Sequence, residues 1–289
     1  MKTRFTKLLT AVAVAAAVAP ASASAAFLQD WYFCTAGGCN STNYTTGDKI
    51  SEYLDLVGPS YVQTSTVGVG GSFTFTEWGA FRIDNHDGGT PLTQPNYITS
   101  IFTGKGTATL GGSLSYAPFD GTIGYINVYS DTTNNFATST SIYGADDGTL
   151  IAQFLLTGGT GLVDPLGLPN GFISLVGAAN YLASGYFFDK NGVDLSTIVP
   201  SVPPILFGFA TVNSSRVTNP APIVVTEIVN EFAGDPSFAN TLPSQNQGGE
   251  MIFANNGQFR LVPEPGSLAL LGLGFAGMGW LARRRKGQQ

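Results

Sequence analysis

The sequence predicts an all-β chain, an antiparallel β-sandwich or jelly roll, set between an N-terminal signal peptide and a C-terminal transmembrane helix. Three observations lead there. Apolar and polar residues alternate at period two through the body of the chain. Gly, Pro, Asn and Asp break these runs at short intervals. No helical stripe of about ten residues or more stands out between the two ends. No repeat of roughly 20 to 50 residues suggests a solenoid or a propeller.

At the N-terminus, Lys2, Arg4 and Lys7 precede an apolar stretch from Leu8 to Ala19 and a run of small residues from Pro20 to Ala26. Ala21-Ser22-Ala23 and Ala23-Ser24-Ala25 both fit the A-x-A cleavage rule, so residues 1–25 read as a secretory signal peptide. An exported chain meets an oxidising compartment. Cys34 and Cys39 in FCTAGGCN then read as a disulfide closing a turn over Ala36-Gly37-Gly38. A structural zinc site takes four Cys or His ligands, and the chain offers one His beside this pair.

The stretch GDKISEYLDLVG stays open between helix and strand. Ile50, Tyr53, Leu54 and Val57 fall at helix-like spacing, whereas Tyr53 and Asp55 also suit a strand. FTFTEWGAFRI is unambiguous, with Phe73, Phe75, Phe81 and Ile83 on one face and Thr74, Thr76, Trp78, Ala80 and Arg82 on the other. IGYINVYS, TLIAQFLLTG, GYFFDKNG, ILFGFATVN and IVVTEIVNEF are rich in β-branched and aromatic residues and read as further strands. Roughly seven to ten such strands fit one exported domain over residues 26–262.

Seven of the 13 basic residues lie in the terminal segments. The body keeps six against 18 acids, a net charge of about −12. Nucleic acid and anionic lipid need a basic footprint, so neither is an expected partner. Charged residues make up only 11% of the chain; Ser, Thr, Asn and Gly must cover the solvent face.

No catalytic residue is assigned, and the chain reads as a non-enzyme. His86, the sole histidine, sits in a polar turn between Asp84 and Asp87, and no G-x-S-x-G elbow accompanies it. Lys105 lies between Gly104 and Gly106 without the hydroxyl residue that a phosphate loop places after its lysine. A glycosidase needs a pair of carboxylates across a cleft. Glu77, Glu227 and Glu231 read instead as outward-facing strand residues. No cofactor is required. Calcium is the ion that the loops could hold, through Asp189, Asn191 and Asp194 or through Asp146 and Asp147, although Asp, Asn and Gly also form such turns without an ion.

The C-terminus combines Pro263-Glu264-Pro265, an uncharged run of 17 residues over 266–282, and Arg283, Arg284, Arg285 and Lys286. The run is about 26 Å long as a helix, the short end of what spans a bilayer, and the basic residues would hold its end in the cytoplasm. The prolines keep the box extended. This tail, residues 263–289, resembles the PEP-CTERM sorting signal of exported Gram-negative proteins. The resemblance implies processing by an exosortase, a membrane-embedded cysteine protease, after transient anchoring in the inner membrane.

The body also resembles the flocculation-associated PEP-CTERM proteins, through the order of GDKISEYLDLV, FTFTEWGAF, IGYINVYSD and ASGYFFDKNGVDL. That likeness implies an extracellular protein of the cell surface or matrix that supports flocs or biofilm together with exopolysaccharide. Trp31, Tyr32, Trp78 and other Tyr residues could stack on sugar faces, although core packing is the expected role of Trp78. The alternatives are a secreted carbohydrate-binding module and a carboxylate-dependent secreted hydrolase.

Overall fold

The computed structural model describes residues 28–93, 95–110, 113–116, 124–162, 171–199, 205–242 and 246–262. The signal peptide 1–25, the box Pro263-Glu264-Pro265, the expected helix 266–282 and the basic residues Arg283, Arg284, Arg285 and Lys286 lie outside them. Among the described residues no helix is long and apolar enough to cross a membrane.

Thirteen strands carry the described chain: β1 (Trp31–Phe33), β2 (Asp48–Ile50), β3 (Leu54–Thr64), β4 (Ser72–His86), β5 (Thr90–Pro91), β6 (Tyr97–Thr109), β7 (Ser113–Tyr116), β8 (Tyr125–Asp131), β9 (Thr149–Leu162), β10 (Gly171–Leu182), β11 (Phe187–Phe188), β12 (Leu206–Val217) and β13 (Glu250–Val262). The ambiguous GDKISEYLDLVG becomes β2 and the start of β3.

The large sheet closes on itself. β3 pairs with β4, β4 with β6, and β6 with β8 along its first half and β7 along its second. Both β7 and β8 pair with β9, and β9, β10, β12, β13 and β3 complete the ring, every pair antiparallel. The result is an eight-stranded barrel, not the expected sandwich or jelly roll. Alternation shows that one face of each strand is buried and looks the same in both architectures. What separates them is curvature. Register shifts at Asp55/Val57, Val128/Tyr129, Val176/Gly177, Ala179/Tyr181 and Thr211/Asn213 mark bulges, which bend and twist a sheet toward closure. At Gly58 the walls approach so closely that a Cβ would stand 2.0 Å from the Ala80 carbonyl oxygen.

The lumen is filled with side chains, as eight strands allow. Phe81 meets Phe209 at 5.9 Å and Phe154 meets Phe259 at 5.4 Å between ring centroids, contacts that cross the barrel. The small sheet β2–β1–β11 shares this core, with Trp31 and Phe33 fully buried and Phe33 stacked on Phe187 at 5.1 Å. Beside it the Cys34–Cys39 disulfide is formed as expected. Gly37 in its turn has φ +69°, and a Cβ there would strike the Tyr186 ring.

IVVTEIVNEF, expected as a strand, is helical. A short helix α1 (Pro222–Val224) runs on as π-helical turns over Val225–Phe232. Its β-branched residues suggest strand, but Val224, Ile228 and Val229 recur at helical spacing, and Pro222 at the start suits a helix entry. These three are buried against Tyr61, Ala80, Ile101 and Ile252, which form a second core on the outside of the barrel wall.

Candidate functional site

The outer face of β8, β9 and β10 collects a strip of amides and phenols. Alternation along β8 sends Ile126 and Val128 inward and leaves Tyr125, Asn127 and Tyr129 half-buried outside. Asn127 stands opposite Gln153 on β9. On β10 the bulge between Ala179 and Tyr181 brings both Asn180 and Tyr181 to the surface beside Gln153. Gln153 Nε2 donates to Asn127 Oδ1 at 3.1 Å, Asn180 Nδ2 donates to Gln153 Oε1 at 2.7 Å, and Asn127 Nδ2 donates to the Tyr129 hydroxyl at 3.2 Å.

This chain fixes the orientation of each amide. A primary amide carries two N–H donors and two acceptor lone pairs, so the ladder leaves hydrogen-bonding capacity pointing to solvent. Tyr181 is 42% exposed at one end of the ladder. At the other end, burial and then the nearby Asp146 push the Tyr125 phenol up; for Tyr129 burial leads again and outweighs the lowering by Asn127. Both phenols stay neutral and able to donate. Among the described residues, one Asp146 carboxylate oxygen is buried without a hydrogen-bond partner. Chemically, the strip sets the exposed Tyr181 and the half-buried Tyr125 and Tyr129, which pack against the second core, beside fixed amide donors and acceptors.

The residues singled out in the sequence fall elsewhere. Glu77, expected to face outward, points into the barrel and is 4% exposed. Glu227 is also buried, between the helix and the outer wall, whereas Glu231 is exposed. The barrel wall separates Glu77 from Glu227, so they form no catalytic pair. His86 Nδ1 lies 3.0 Å from Asp87, whose carboxylate also accepts the backbone N–H groups of Ser51, Glu52 and Tyr53. This arrangement ties the turn before β3.

The calcium candidates serve their own loops. Asp189 Oδ1 accepts from the backbone N–H groups of Asn191 and Val193 at 2.8 Å each, and the Asn191 side chain donates to Asp189 Oδ2 at 3.2 Å. Asp194 caps a 3-10 turn through Ser196 N and also accepts from Ser184 and Gly185. Among the described residues no cluster of three or more His, Cys, Asp or Glu could hold a metal. Asp147 accepts from the Asn135 side chain.

Of the suggested sugar platforms, Trp31 is core and Trp78 stacks on Tyr61 at 5.7 Å beside the helix, the packing role expected for it. Tyr32 meets Tyr44 edge-on at 4.9 Å. The alternating YINVY of β8 signals the strip, but Gln153 and Asn180 join it only through strand pairing.

The described residues thus form a disulfide-bearing, closed β-barrel with a strip of amides and phenols on its outer face. The chain carries a PEP-CTERM protein-sorting motif at residues 261–286, which marks it as an exported substrate of exosortase. The motif starts at Leu261, inside β13, so the processing box follows the last barrel strand without a linker. No curated protein and no solved structure matches the chain.

Proposed function

We propose that the processed barrel is a non-enzymatic component of the cell surface or extracellular matrix that binds exopolysaccharide and supports flocs or biofilm. The observation that supports this reading is the Asn127–Gln153–Asn180 amide ladder flanked by Tyr125, Tyr129 and Tyr181. Tyrosine gives a large contact area at low entropic cost, and fixed amides recognise hydroxyl groups without charge. With a body charge of about −12, a neutral glycan binds directly, and an acidic one requires a divalent cation between the two surfaces.

Titration of the processed protein with exopolysaccharide from the producing cells tests the assignment. Asn127→Ala together with Gln153→Ala should weaken binding at least tenfold while the circular dichroism spectrum is kept, and deletion of the gene should reduce cell aggregation. Unchanged binding by the double variant removes the strip as the site. Normal aggregation in the deletant removes the matrix role. Saturable binding of a single small sugar would favour the carbohydrate-binding module.

A further inference from the structure

The end of β13 runs past its β3 neighbour just where the sorting motif begins. β3 starts at Leu54, opposite Phe259, so Arg260, Leu261 and Val262 have ladder partners only on β12, namely Gly208, Phe207 and Leu206. The N-terminal segment fills the open edge. Leu28 N–H donates to the Leu261 carbonyl at 2.7 Å, and the half-buried Leu28 side chain packs against the core in which Leu261 is fully buried. Asp30 N–H then donates to Ser51 O at 3.4 Å, and Trp31 opens β1. We propose that Leu28 is a positioning residue for exosortase processing: it seals the end of β13 and confines the cut to the chain after Val262.

A protease cuts chain that is exposed and unpaired, and it reaches a bond inside a folded element only through local opening. Where opening and closing are fast, the rate of cutting follows the open population. The motif covers residues 261–286, so its first two residues belong to β13. A cut at Leu261 requires the barrel to give up the Leu28 bond, the pairing with Phe207 and the burial of the Leu261 side chain. A cut after Val262 costs none of these contacts.

β12 alone is a poor seal. An edge strand presents a row of unpaired N–H and C=O groups, and a short strand end held on one side is among the first parts of a fold to fray. Leu28 occupies the free side at Leu261, the middle residue of the three that outrun β3. With the signal peptide expected to end at residue 25, Leu28 is the third residue of the mature chain. Loss of the first three mature residues therefore unlocks the other end of the chain.

Three forms of the processed protein test the seal: the wild type, Leu28→Pro, which removes the N–H donor, and a chain that begins at Gln29. Thermolysin, which cuts before large apolar residues, should remove Leu261 and Val262 from both altered forms about tenfold faster than from the wild type, with the circular dichroism spectrum kept. In the producing cells, mass spectrometry should find every wild-type C-terminus at or beyond Val262, and Leu28→Pro should add C-termini between Phe259 and Leu261. Hydrogen exchange of the wild type, which needs no variant, should show the Leu28 amide slowed about a hundredfold or more relative to unstructured chain. A wild-type C-terminus inside β13, equal trimming of Leu28→Pro and wild type, an unchanged set of C-termini in the Leu28→Pro cells, or an unprotected Leu28 amide would each overturn the proposal.

Discussion

Tyr61→Phe removes one hydroxyl from the second core, and its cost can be worked out from the contacts of that group. Tyr61 is fully buried on the outer side of β3, and its hydroxyl donates to Asp235 Oδ2 at 2.5 Å. The same carboxylate accepts from Gln63 Nε2 at 2.8 Å and from the Ser237 hydroxyl and N–H at 2.8 and 3.1 Å, while Asp235 N donates to Val229 O at 2.9 Å. Asp235 thus clamps the end of the helix to the barrel wall. Burial, followed by the hydrogen bond to Asp235, drives the Tyr61 phenol far above its ordinary range, so it always donates. A hydrogen bond to a charged group contributes about 1.5–3 kcal/mol. Tyr61→Phe strands no buried donor and should cost that amount, a fall in Tm of about 3–12 °C at the 2–4 °C per kcal/mol typical of this size. Asp235→Ala strands the Tyr61 hydroxyl as well, which adds about 1–3 kcal/mol for a buried unsatisfied group. Urea and thermal unfolding followed by circular dichroism measure both. A loss below about 0.5 kcal/mol for Tyr61→Phe, or an Asp235→Ala loss no larger than it, would refute the clamp.

Replacing Cys34 and Cys39 together by Ala should lower stability by about 2 kcal/mol, the chain-entropy value for so short a ring, with the barrel retained in the circular dichroism spectrum. Acid should unfold the protein through Asp87, Asp194 and Asp235. Burial alone would raise each of these carboxyls, but their hydrogen bonds outweigh it and hold all three low. Their stabilisation is complete above the unfolded value of about 3.9 and is lost as pH falls through the lower folded values; burial of Asp55 acts in the opposite sense. Unfolding titrations should therefore be flat from about pH 5 to 7 and fall below about pH 4; a decline starting above pH 5 would contradict this. Because Asp189 and Asp194 already accept hydrogen bonds from their own loops, a chelator should leave Tm unchanged, and a fall of several degrees would show a bound cation.

Local structure was legible where a single strand carries the signal. Phe75, Phe81 and Ile83 face inward, as their alternation in FTFTEWGAFRI requires, and the spacing of Cys34 and Cys39 foretells their bond. Closure into a barrel was not legible, because it depends on which strands meet and on bulges such as Ala179/Tyr181 that leave no periodic mark. The helix is not legible in the sequence because Val224, Val225, Ile228 and Val229 favour strands in isolation, and only the apolar outer wall around Tyr61 and Ile252 gives their helical stripe a surface to cover. Glu77, read in the sequence as an outward-facing strand residue, lies inside, as its alternation with Phe75 and Phe81 requires. The amide ladder joins residues of three strands, and such neighbours follow from register, which one chain read linearly does not disclose.

A barrel that carries the Cys34–Cys39 disulfide is exported and cut at its tail by exosortase. Intact-mass spectrometry of the protein recovered from wild-type and exosortase-deficient cells tests it most directly. Wild-type cells should yield a chain that starts near Ala26, ends near Pro263-Glu264-Pro265 and carries the Cys34–Cys39 bond, while the mutant retains residues 266–289. A full-length chain with residues 1–25 and 266–289 still attached and both cysteines reduced in wild-type cells would contradict the account.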